Sequence, residues 1–264
     1  MSTPTSPDLV GLAPPVTNEV PSSVLEVAAC VIAYEAAATI EPVIAAIPVA
    51  IEGRAVRLFV ADDASADQTA DLATAACVRA GIDDAVVVRN PQNLGYGGNQ
   101  LACFRWALAA GVDVVAVVHG DGQYPPDSLP ELVAPILAGA ADVVLASRML
   151  VPGGAKAGGM PRHRRIGNAL LSRFQNRITG ADLSEWHTGL RAYRVASLGN
   201  LDLEALPAGF DFDTAITLAL LSAEARFAEI PIATYYGDEV SRVPVWRTGL
   251  RIAWRTIAYR RAER

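Results

Sequence analysis

With 264 residues, 52% of them apolar, the chain has material for one large α/β domain with a full core, and wholesale disorder is excluded. Its 22 basic and 28 acidic residues leave a net charge of −6, which excludes nucleic acid as a general partner. The charge is uneven: residues 241–264 hold seven Arg and one Glu, a local +6 that leaves −12 on the rest.

Residues 1–24 are rich in Pro, Ser and Thr and lack the basic and apolar regions of a signal peptide, so they read as a flexible leader. Residues 25–240 read as the main domain and 241–264 as a basic C-terminal helix. No apolar run approaches the ~18 residues of a membrane span. Cys30, Cys77 and Cys103 lie in apolar patterns and read as reduced core residues. The balance suits a cytoplasmic protein, peripheral on the inner face of the membrane if the tail touches lipid.

In chain order, strands are predicted at 27–33, 56–61, 85–88, 112–118 and 142–146, with helices at 40–51, 68–80, 98–110 and 128–138 between them. The strands are continuous apolar runs such as VVAVV, as expected where helices cover both faces of a sheet. A glycine-rich stretch, VPGGAKAGGMP, reads as a mobile loop, followed by a helix at 163–178, another at 210–223 and a strand at 227–232. The alternation predicts an α/β fold with a mostly parallel sheet flanked by helices. Ligands of such sheets sit outside the carboxyl ends of the strands. Those ends read Tyr34-Glu35, Asp62-Asp63-Ala-Ser65, Asn93-Leu-Gly95-Tyr-Gly97, His119-Gly-Asp121-Gly-Gln123 and Ser147-Arg148.

Paired Asp62 and Asp63 leave a carboxylate to accept hydrogen bonds from a nucleobase or ribose, while Ser65 or Asp67 caps the next helix. His119, Asp121 and Gln123 alternate along an extended chain, which points them to one side. A carboxylate, an imidazole and an amide oxygen suit Mn²⁺ or Mg²⁺ on a diphosphate better than structural zinc; the competing reading is a simple Asp-Gly turn. Lys156, Arg162, His163, Arg164 and Arg165 surround the glycine-rich loop, and Arg191 follows Thr188-Gly189; guanidinium groups clamp phosphate. Trp246, Leu250, Trp254 and Ile257 line one face of the tail helix beside Arg247, Arg251 and Arg255. That face lies either in an anionic membrane interface or on the protein's own core.

Taken in order, Asp62-Asp-Ala-Ser-x-Asp-x-Thr69, Asn93-Leu-Gly-x-Gly97, Asp121-Gly-Gln-x-Pro-Pro-Asp127 and Ser147-Arg148 resemble family-two glycosyltransferases of the GT-A fold. His187-Thr-Gly-Leu-Arg-Ala-Tyr193 and Thr234-Tyr-Tyr-Gly-Asp-Glu239 resemble a bacterial branch, and the nearest subgroup is the dolichyl- and polyprenyl-phosphate sugar synthases. The resemblance implies an inverting, metal-dependent transfer from a GDP- or UDP-sugar to an acceptor, foremost a polyprenyl phosphate. Tyr34, Glu35, Asp62, Asp63, Asn93, Gly95, Gly97, Asp121 and Gln123 are then donor-binding, and Asp121, Gln123 and His119 hold the metal. Arg148 meets donor phosphate, while Arg191 with Arg162, Arg164 and Arg165 meets acceptor phosphate. His119 departs from the aspartate usual at the first position of the Asp-x-Asp motif, which keeps a degenerate nucleotide-sugar binder as one alternative. A soluble transferase acting on a hydroxyl is the other; it needs a base, and Asp182 or Glu185 is nearest in motif order. A dinucleotide-binding dehydrogenase and a nucleotidyltransferase are disfavoured, because no glycine-rich signature follows the first strand.

Overall fold

The apolar runs become strands whose ends shift by a residue or two. The computed structural model describes residues 25–82, 84–233 and 245–262. The strands are β1 (Val27–Ala33), β2 (Ala50–Ile51), β3 (Arg54–Asp62), β4 (Ala85–Arg89), β5 (Val114–His119), β6 (Val143–Ser147), β7 (Arg191–Arg194) and β8 (Phe227–Pro231). The helices are α1 (Ile40–Ala45), α2 (Thr69–Ala80), α3 (Gly95–Ala110), α4 (Leu129–Leu137), α5 (Gly154–Ala157), α6 (Arg162–Thr179), α7 (Val195–Gly199), α8 (Phe212–Ser222) and α9 (Val245–Ala262). The expected leader, the Thr234–Glu239 motif and the side chain of Trp246 lie outside what is described. Among the described residues no helix is long and apolar enough to cross a membrane.

The helix predicted over 40–51 ends early, at Ala45. Pro48 disfavours helical geometry at Ile47, and the chain then pairs Ala50 and Ile51 with Ala55 and Arg54 across a turn at Glu52-Gly53. The glycine-rich stretch contains the single turn α5, and Gly180, at φ 81°, ends α6 in the left-handed conformation that glycine adopts freely.

The sheet order is β2-β3-β1-β5-β7-β6-β8, with β4 also paired to β3. It is mixed. β4, β3, β1 and β5 run parallel, β6 is parallel to β8, and β7 is antiparallel to both β5 and β6. After β1 the chain builds β3 and β4 on one side and returns to place β5 on the other. The reversal opens a crevice at the carboxyl ends of β1 and β5, where Glu35 and Asp121 lie.

Alternate residues of β1 serve two cores. Val27, Ala29, Val31 and Ala33 pack with Ile40 and Ile44 of α1, Ala73 and Cys77 of α2, and Leu132 and Ile136 of α4. Ala28, Cys30 and Ile32 face Phe104 of α3 and Phe212 and Ile216 of α8, with Trp186 and Tyr193. Each large side chain so buried contributes about 1.5–3 kcal/mol. These layers fix the strand ends against helices on both faces, so the polar loops are the part free to bind. All three cysteines are free thiols in the interior.

Candidate active site

The loops after β1 and β3 are braced against each other. Glu35 takes a left-handed backbone (φ 52°), its N–H donates to Ser65 Oγ at 2.8 Å, and its carboxylate accepts from Ala66 N at 3.2 Å. Ser65 in turn donates through N (3.2 Å) and Oγ to Asp62 Oδ1. Asp62 is fully buried and its Oδ2 accepts no hydrogen bond, the nearest cation being Arg89 Nε at 3.7 Å. Asp63 is differently employed. Its carboxylate accepts from Leu94 N (2.7 Å), Gly95 N (3.0 Å) and Asn90 Nδ2 (3.1 Å), an anion seated on the first turn of α3. Asn93 donates to the Asp63 carbonyl at 3.2 Å. Of the adjacent carboxylates, then, Asp62 has an acceptor to spare and Asp63 organises the next loop. A Cβ at Gly95 would lie 2.9 Å from the Ala208 carbonyl oxygen and one at Gly97 2.4 Å from that of Pro207. These glycines admit the segment leading into α8. Tyr34 stands exposed beside Glu35.

At the end of β5 the side chains diverge more than strict alternation predicts. Asp121 is half-buried; its Oδ1 accepts from Gln123 N at 3.0 Å, and a cavity of about 300 Å³ runs from it past Thr39, Val43, Tyr124 and Pro126. His119 turns inward. Its ring meets Tyr96 and Tyr124 edge-on and lies against Gly189, where a Cβ would come within 2.2 Å of Cε1. Tyr96 Oη donates to Asp213 Oδ2 at 2.9 Å and lies 3.4 Å from His119 Nε2, while Gln100 Nε2 donates to Asp213 Oδ1 at 3.3 Å. Burial, only partly offset by the Asp121 and Asp213 carboxylates, lowers the His119 pKa below the usual histidine value and keeps the ring neutral. Burial and the Asp213 charge push the Tyr96 hydroxyl pKa well up, so it stays protonated and remains a donor. Tyr96 and Asp213 escape a reading of the sequence; the one signal is an acid inside the apolar run of α8.

A buried ion pair joins β6 to the loop before β7. Arg148 donates through N and Nε to Glu185, both at 2.8 Å, and through Nη2 to the same carboxylate and, at 3.2 Å, to the His187 carbonyl. Its guanidinium also lies 5.5 Å from the centre of the Tyr124 ring. Asn168 Nδ2 adds a further donor to Glu185 at 2.7 Å. Burial works to raise the Glu185 pKa, but the Arg148 charge and these bonds outweigh it and hold the group below its ordinary value. Glu229 of β8 accepts from Ser184 N and Oγ, both at 2.8 Å, and fixes the loop from the other side. Burial and the Arg191 charge lower the pKa of His187 to about 4, so it too is neutral.

Arg191 is 1% exposed. Its donors go to Thr188 O (2.7 Å), Trp186 O (2.8 Å), Thr217 Oγ1 (3.0 Å) and Asp213 O (3.3 Å), with the Asp213 carboxylate 3.9 Å away. This guanidinium, expected on an acceptor phosphate, ties the 186–189 loop to α8 from within. Arg162, Arg164 and Arg165 occupy the first turn of α6, exposed or half-exposed, and make no ion pair among the described residues. Glu35, Asp62, His119, Asp121 and Arg148 thus stand at or just past the carboxyl ends of β1, β3, β5 and β6, Asp62 and Arg191 are buried, and Arg162, Arg164 and Arg165 open α6.

A family model described as glycosyl transferase family 2 matches residues 28–201, about two thirds of the chain. The chain belongs to this family. It is similar to the undecaprenyl-phosphate mannosyltransferase of Micrococcus luteus, 35% identical over 177 residues, which span 66% of this chain and 70% of that protein. It is also similar to the polyprenol monophosphomannose synthase of Mycolicibacterium smegmatis, 30% identical over 178 residues, 67% of this chain and 66% of that protein. Among solved structures, glucosyl-3-phosphoglycerate synthase from Mycobacterium tuberculosis, in complex with Mn²⁺, UDP and phosphoglyceric acid, superposes with TM-score 0.65 at 18% identity. That match covers 89% of this chain and 78% of the other, and it shows the shared GT-A fold. The protein is therefore a glycosyltransferase.

Related folds are crystallised with Mn²⁺ or Mg²⁺. Among the described residues of this chain no three His, Cys, Asp or Glu side chains converge as a self-sufficient metal cage. The donor set still fits such an ion, because Mg²⁺ and its like take one or two protein ligands and complete their shell with substrate phosphates and water. Asp121 Oδ2, which accepts no hydrogen bond among the described residues, is the carboxylate oxygen on offer.

Proposed function

We propose that this glycosyltransferase inverts the anomeric centre as it moves a sugar from a GDP- or UDP-sugar to a polyprenyl phosphate at a membrane surface. Asp62 Oδ2 and Glu35 receive the nucleoside. Asp121, with His119 and Gln123, would hold a divalent ion, and such an ion would supply positive charge to neutralise the departing diphosphate. Arg148, rigidly held by Glu185, adds its field at the same end of the sheet.

The observation that carries the acceptor assignment is the first turn of α6. Three arginines without an ion pair among the described residues crowd a helix N-terminus, where the backbone dipole already disfavours cations. An anion there relieves both, and a lipid phosphate is such an anion. Further along, α6 exposes Ile166 and Leu170, and the neighbouring α9 exposes Leu250 (61%), Trp254 (68%) and Ile257 (41%) while burying Ile252 and Thr256. The tail helix thus turns its Leu/Trp stripe outward, which supports contact with an anionic membrane interface. A phosphate nucleophile is already charged and needs no base. That agrees with Glu185, whose carboxylate is filled by Arg148 and Asn168. The phosphate-binding duty expected of Arg191 falls in this reading to Arg162, Arg164 and Arg165.

The test is a transfer assay with a panel of GDP- and UDP-sugars, Mn²⁺ or Mg²⁺, and a short polyprenyl phosphate in mild detergent. Sugar on the lipid phosphate, lost with EDTA and in Asp121→Ala, is the expected result. Donor hydrolysis without lipid product moves the acceptor to a soluble hydroxyl, with the exposed Asp182 as its base. Transfer that persists in EDTA removes the metal from the mechanism.

A further inference from the structure

Resting on that metal reading, the geometry points to Tyr96 and Asp213 as positioning residues that present His119 Nδ1 to the divalent ion. The direction of each hydrogen bond follows from its neighbour. Asp213 is an acceptor, so Tyr96 must spend its single O–H on Asp213 Oδ2, at 2.9 Å. The Tyr96 oxygen is then an acceptor toward His119 Nε2, 3.4 Å away, and Nε2 carries the ring hydrogen. The lone pair is left on Nδ1. That atom takes no hydrogen bond among the described residues.

The rest of the surroundings preserve this orientation. Tyr124 and Tyr96 close on the ring edge-to-face, and Gly189 leaves the space a Cβ would otherwise take. Gln100 Nε2 and the Arg191 guanidinium bracket Asp213 Oδ1 at 3.3 and 3.9 Å, which keeps its other oxygen directed at Tyr96. A metal-bound histidine ordinarily donates its second N–H to a carboxylate, directly or through an intermediary, and loss of that partner costs about 10- to 100-fold in metal affinity. Here the intermediary is a tyrosine hydroxyl and the carboxylate comes from α8. The histidine that replaces the usual aspartate thus brings its own orienting pair, and the site exchanges one oxygen ligand for a nitrogen.

The experiment measures Mn²⁺ binding to the nucleotide-saturated protein by electron paramagnetic resonance, with the histidines labelled in ¹⁵N. Wild type should show a ¹⁵N coupling to Mn²⁺ that disappears in His119→Ala. Tyr96→Phe, which keeps the ring and its stacking on Phe210, should raise the Mn²⁺ Kd about tenfold or more. Metal-free nucleotide affinity should be unchanged. In a His119→Asp background, where no tautomer has to be set, Tyr96→Phe should have no effect on the Mn²⁺ Kd. A merely structural tyrosine would affect both backgrounds alike. Loss of Mn²⁺ in Asp121→Ala, with no ¹⁵N coupling and an unmoved Tyr96→Phe, overturns the assignment of Tyr96 and Asp213 alone. Unchanged Mn²⁺ binding in Asp121→Ala overturns the metal reading beneath it.

Discussion

Replacing Glu185 by Gln should destabilise the protein more than any surface change, through the partner left behind. The carboxylate is fully buried and the Arg148 side chain 9% exposed, so neither charge leans on water. Glutamine keeps one carbonyl oxygen for the guanidinium and Asn168, but its amide NH2 then faces Arg148 N, a donor against a donor, and the Arg148 N–H is left without an acceptor. Removing one member of such a pair costs about 3–5 kcal/mol, most of it from stranding the other charge. For a domain of this size that corresponds to a melting temperature lower by roughly 6–20 °C. The effect carries a pH signature. The Arg148 charge and the bonds to Glu185 hold its folded-state pKa below the ordinary carboxylate value, so its contribution is complete above that ordinary value and fades as pH falls through the folded one. Calorimetry at pH 7 and at descending acid pH should therefore show the gap between wild type and Glu185→Gln closing with acidity. The double variant Arg148→Met/Glu185→Met should recover part of the loss, since an apolar pair of similar volume strands no charge, although Arg148 N and Asn168 still lose their acceptor. A Glu185→Gln protein that melts with wild type at pH 7, or a gap that widens in acid, would refute this account.

Asp62 and Asp63 should separate. Asp62→Asn keeps an acceptor for Ser65 but turns the free oxygen into a donor, so titration calorimetry should find nucleotide binding about tenfold weaker or more with little change in melting. Asp63→Asn should instead lower the melting temperature, because Leu94 N, Gly95 N and Asn90 all depend on its carboxylate; the reverse pattern would overturn the division. Gly189→Ala should cost about 1–3 kcal/mol of stability by overpacking, since the new methyl would displace the His119 ring, and an unchanged denaturation midpoint would contradict that contact. Leu250→Glu and Trp254→Glu should each weaken cosedimentation with anionic vesicles about tenfold or more, leaving hydrolysis of the soluble donor intact. Equal sedimentation of variants and wild type would sink the membrane-facing role of α9.

Strand content and the ligand edge were legible because they depend on local signals, continuous apolar runs ended by polar turns. The motif order then singled out Asp62, Asp121 and Arg148. What could not be read was partnership across long separations. Tyr96 and Asp213 meet across 117 positions, and Arg148 finds Glu185 across 37. An arginine in a motif looks the same whether it faces phosphate or, as Arg191 does, the backbone carbonyls of Trp186 and Thr188, which leave no mark in composition. The tail helix shows the same limit. Its period defined a Leu/Trp stripe, but which side met the protein depended on α6 and α8 supplying contacts for Ile252, Thr256 and Tyr259.

The reversed direction of β7 has a consequence for how this scaffold diversifies. Since β7 runs against β5 and β6, its beginning rather than its end reaches the binding rim, and residues 184–190 arrive there without a helical crossover. In the reading proposed above, the nucleotide contacts come from the chain before Tyr124, while the later half contributes Arg148, the inverted strand β7 and the helix ahead of it. On that reading the two halves should be exchangeable between relatives, with the β5–β7 ladder as the seam. A hybrid joined after Gln123 should keep the donor preference of its first parent and take the acceptor preference of its second.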